Sequence, residues 1–163
     1  MEWGTGLKSG AASGAIYGVI AGILGYIYML TMKEDVIARI QAAIPQGVSI
    51  PMSMDDLYNI SLIAAVPSTI ISGVILGLIL GVVFMLMKEE LMGKNLRLKG
   101  VFLTGFILVV AVVWELLYPQ NLFGGFLLLR FSPIFIAPLS AIAFLAFGYL
   151  LGMFCERFEK KGK

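Results

Sequence analysis

The chain contains no histidine and only one cysteine, Cys155, among its 163 residues. Without imidazole it lacks the side chain that titrates near neutral pH and the commonest nitrogen ligand for metals. A lone cysteine cannot form an intrachain disulfide, so it carries no information about redox compartment. Charge is scarce as well: Asp, Glu, Lys and Arg make up 13% of the residues, and the net charge is +2. The longest polar segments, 33–58 and 88–99, are too short to bury a core of their own. Also missing is a phosphate-cradling glycine loop, because the glycines fall within apolar runs. No pair of carboxylates lies inside an apolar stretch, where acid–base catalysis would need it. The expectation is a protein that is not an enzyme, with no catalytic residues, metal, cofactor or nucleic-acid partner. Glu34-Asp35 and Asp55-Asp56 read as solvated loop charges rather than a divalent-cation site.

What the sequence does have is apolar length. Hydrophobic residues make up 60% of the chain and concentrate in four stretches, about 9–32, 59–87, 100–118 and 133–155. Each can cross a hydrocarbon core of about 30 Å, which needs about 20 helical residues. These stretches do not alternate apolar with polar, so a barrel is excluded and helices must satisfy the backbone in lipid. The first stretch is longer than a signal-peptide core and no cleavage motif follows it, so it is expected to stay as a membrane helix. The fold class is therefore an all-α integral membrane protein, a four-helix transmembrane bundle in one domain over 1–163. Outer loops are expected at 33–58 and 119–132, with an inner loop at 88–99.

Basic residues set the orientation. Lys8, Lys88, Lys94, Arg97, Lys99, Arg157, Lys160, Lys161 and Lys163 fall on one side, and Lys33, Arg39 and Arg130 on the other. That bias is expected to place both termini in the cytoplasm, and the expected location is the plasma membrane. Trp3 marks the inner boundary; Tyr26, Tyr28, Tyr58, Trp114 and Tyr118 are expected in the outer headgroup region. Val36, Ile37, Ile40 and Ile44 form a short amphipathic pattern that suits the membrane surface. Ser53 with Asp56 reads as a capping box that starts the second long helix near Met54. Between Pro119 and Pro133, the apolar run 121–131 is too short to span and reads as interfacial, with a re-entrant loop at Gly124–Gly125 as the alternative.

Glycine spacing is the sharpest local signal. Gly10, Gly14, Gly18 and Gly22 recur every fourth residue, and Gly73, Gly77, Gly81 and Gly148, Gly152 repeat the device. Such faces let another backbone approach closely. Packing within the bundle is the first expectation; a face left for a second subunit or another protein is the second. Pro67, Thr69, Gly77 and Gly81 match Pro138, Ser140, Gly148 and Gly152 at a constant offset of 71 residues. Leu7-Lys8 and Leu98-Lys99 open the first and third stretches in the same way. The pattern suits two tandem helical hairpins in parallel orientation, related by a two-fold along the membrane normal. Biased apolar sequence also generates such matches by chance. Pro67 and Pro138 are expected to kink their helices by removing a backbone donor.

Glu115 is the one ionisable residue that these spans place below a membrane surface. An ion or solute role competes with a boundary carboxylate that is simply wet, or paired with Arg130 or Lys33. The functional expectation is a subunit or assembly partner of a membrane complex, acting through its glycine-rich faces. Its partners would be the lipid bilayer and either further copies of itself or other membrane subunits. The alternative is a small oligomeric channel or carrier with Glu115 near its outer mouth.

Overall fold

A computed structural model of the chain describes residues 3–45, 51–117 and 136–161. Among them are five helices and no strand: α1 (Trp3–Thr31), α2 (Lys33–Ala43), α3 (Met54–Met87), α4 (Leu96–Leu117) and α5 (Ile136–Lys161). All but α2 are long and apolar enough to cross a membrane, so the chain is a multi-pass helical membrane protein. The expected run 121–131 lies outside the described residues, as do Tyr118 and Arg130.

Two helix starts show how local chemistry sets the boundaries. The Ser53 hydroxyl oxygen accepts the Asp56 backbone N–H at 3.1 Å, satisfying one of the free donors in the first turn of α3. Asn95 does the same for α4, its side-chain oxygen accepting the Leu98 N–H at 2.9 Å. From its cap α3 runs 34 residues, about 50 Å at about 1.5 Å per residue, and so outreaches a hydrocarbon core. The chain reverses into α4 through Gly93, whose φ of +144° suits only glycine.

Helices α1 and α3 pack antiparallel along most of their lengths, as do α4 and α5, giving two hairpins. The hairpins repeat one packing register. Gly77 and Gly81 of α3 meet Gly10 and Gly6 of α1; 71 residues on, Gly148 and Gly152 meet Gly100 and Leu96, each 90 residues on from its α1 counterpart. The hairpins join through α1 and α5, also antiparallel, where Ser9 lies against Cys155 and Tyr17 against Phe147. The pair equivalent under a two-fold, α3 with α4, has no comparable close packing among the described residues. Side-chain size accounts for the difference. Where α1 offers Ser9 to α5, the residue 90 positions on in α4 is Lys99. The core is one cluster on all four long helices, centred on Phe84, Leu103, Phe144, Phe147 and Leu151.

Helix α2 closes one end. Val36 is buried with Tyr28 and Tyr58, and Ile37 and Ile40 pack against them. The amphipathic pattern thus meets protein on its apolar side. Tyr28 and Tyr58 are 6% and 4% exposed, so at this end their rings are covered by protein. The Tyr58 hydroxyl donates to the Met29 carbonyl at 2.9 Å, which ties the start of α3 to the end of α1.

Candidate functional site

Three features concentrate the chain's chemistry: the glycine seams, the packed core, and the charged ends. In α1, Gly6, Gly10, Gly14, Gly18 and Gly22 are buried along one stripe. A Cβ on Gly10 or Gly14 would overlap the backbone carbonyl of Gly77 or Gly73. On Gly18 it would come within 2.7 Å of Ile70 Cα, and on Gly22 within 3.1 Å of Val66 Cα. In the second hairpin a Cβ on Gly148 would strike the Gly100 carbonyl and Thr104, and one on Gly152 the Leu96 carbonyl. Gly10, Gly14, Gly18, Gly22, Gly73, Gly77, Gly81, Gly148 and Gly152 therefore sit where two backbones of the same chain touch. Gly4 and Gly25 differ, with nothing within 4 Å. Gly6 and Gly100 complete the seams and escaped the sequence reading. The four-residue spacing extended back to Gly6 was the signal available.

Among the described residues, aromatic and aliphatic side chains fill the space between the seams. Tyr17 packs on Phe144 and Phe147 with ring centroids 5.7 and 5.4 Å apart, in the offset and edge-on arrangements that aromatic rings favour. Phe84 and Leu151 are fully buried beside them. The buried polar residues among those described are Ser9, Ser13, Thr104 and Ser140, none of them ionisable at neutral pH. Ser9 donates to the Thr5 and Gly6 carbonyls, Ser13 to those of Ser9 and Gly10, and Thr104 to those of Gly100 and Val101. Back-bonding of this kind satisfies a hydroxyl in lipid without a partner helix. Cys155 Sγ lies 2.9 Å from Ser9 Oγ. With the serine proton engaged by its own helix, the thiol is the donor.

The end that carries Lys8, Lys88 and the C-terminal part of α5 is stapled by charge. Lys88 pairs with Glu159 at 3.0 Å, and Lys99 donates to the Lys88 carbonyl. Arg97 holds Glu156 at 2.9 Å and reaches the Tyr149 hydroxyl at 3.4 Å, while Lys160 adds a second cation 3.3 Å from Glu156. Two carboxylates of α5 thus grip Lys88 and Arg97, on either side of the connection between α3 and α4. This pairing was not legible in sequence, where Lys88 and Arg97 counted only as basic residues of one membrane side. Residues 59 and 71 apart in the chain show no spacing rule that pairs them.

At the opposite end Lys33 pairs with Asp55 at 2.9 Å and lies over the Tyr58 ring, 5.2 Å from its centroid. The hydrogen bond to Asp55, then its charge, hold the Lys33 pKa above the usual lysine value. A recess of about 330 Å³ at the corner between α1 and α2 is lined by Leu30, Thr31, Met32, Lys33, Glu34 and Asp35. It is the concave side of one turn of chain. No group of three or more Cys, Asp or Glu residues among those described could hold a metal ion.

Glu115 lies in α4, but its side chain, like Arg130, is outside the described residues. Lys33, one of the partners considered for it, is engaged by Asp55. Pro67 is inside α3, where Ser68 and Thr69 donate to the Ala65 carbonyl at 3.1 and 2.6 Å. Pro138 lies in α5, close to its first described residue, Ile136. No family model matches the chain, and no curated protein or solved structure is significantly similar to it.

Proposed function

We propose that the chain is a non-enzymatic subunit or assembly partner of a membrane complex, set in the plasma membrane with both termini cytoplasmic. One observation carries the reading: the centre of the four helices is packed with Tyr17, Phe84, Phe144, Phe147 and Leu151. Such an interior offers an ion or polar solute nothing to replace its water, whereas a conduit needs a polar lining. The basic residues gathered at one end support the orientation. The glycine faces expected to serve association are covered within the chain, so contact with a partner falls to outward surfaces. On α1 these carry Ile16, Ile20, Ile23 and Ile27, each at least 39% exposed. Extraction from the native membrane in mild detergent, followed by mass measurement, tests the proposal. A particle that contains more protein than one 17.7 kDa chain is expected. A uniform population of single chains would overturn it.

A further inference from the structure

We draw no further inference here: the strongest candidate, the apolar face on the half of α4 that follows Gly105, where Phe106, Val109, Val113 and Leu117 are exposed, carries no proposal because nothing in the structure shows whether lipid, a second copy or another protein covers it.

Discussion

Gly14 and Gly73 face each other so closely that a Cβ on either would overlap the other's carbonyl oxygen. With no side chain at either position, the two backbones are themselves the contact surface of the first hairpin. In lipid this matters more than in water, because apolar side chains gain little by leaving a hydrocarbon solvent. Close packing and weak Cα–H···O contacts must hold the helices together.

Alanine at Gly14 or Gly73 should therefore destabilise the bundle by about 1–3 kcal/mol, since an added methyl has only backbone to displace. Gly25→Ala is the control. With nothing within 4 Å of its Cβ position, it should be neutral or slightly stabilising through helix propensity. Thermal unfolding of the purified variants in one detergent compares them. Equal midpoints for all three would mean that the seam does not form.

Charge should hold the connection between the hairpins. Lys88 and Glu159 are 15% and 35% exposed, more enclosed than ordinary surface pairs. Glu159→Gln should cost roughly 1 kcal/mol. The exchange Lys88→Glu with Glu159→Lys should recover much of that loss. Unfolding midpoints at low and high salt would reveal it, with the gap between wild type and Glu159→Gln narrowing as salt rises.

The part of the fold legible in sequence is the part with a local cause. Ser53 and Asp56 announced the start of α3, the apolar periodicity of 36–44 announced α2, and glycine spacing announced the first seam. Which helix each face would meet was not legible, because one glycine stripe serves a neighbouring helix and a second subunit equally well. The burial of Tyr28 and Tyr58 was hidden for a related reason. A tyrosine at a membrane boundary suits both headgroups and a cover of protein, and only the placement of α2 decides. The Ser9–Cys155 contact joins residues 146 apart through two ordinary side chains, which leave no pattern to read.

Raising the pH should weaken the α2 end selectively. Because the folded-state pKa of Lys33 is raised, its contribution is complete below the unfolded value of about 10.4 and is lost as pH climbs through the folded value. Both partners are more than half exposed, so the effect is small. Asp55→Asn should remove it. Hydrogen exchange of α2 amides from neutral pH to about 11 provides the measurement, after correction for the intrinsic pH dependence of exchange. Wild type and Asp55→Asn with the same corrected profile would contradict this role.

A packed interior predicts that the chain alone does not conduct. Proton, sodium and potassium leak from liposomes should be independent of protein content, and Glu115→Gln should leave it unchanged. Flux that grows with protein and loses its pH dependence in Glu115→Gln would favour the channel or carrier alternative.

Everything proposed rests on the two hairpins closing against each other within one chain, and the native thiol offers a direct probe. Ser9→Cys is nearly isosteric and places a second sulfur beside Cys155, where oxygen and sulfur now lie 2.9 Å apart. Oxidation in the membrane, followed by non-reducing mass analysis, should yield a species of single-chain mass with both thiols consumed. A product of twice that mass would place α1 against the α5 of another molecule. Two thiols left free would show that the helices do not meet, and either result contradicts the bundle.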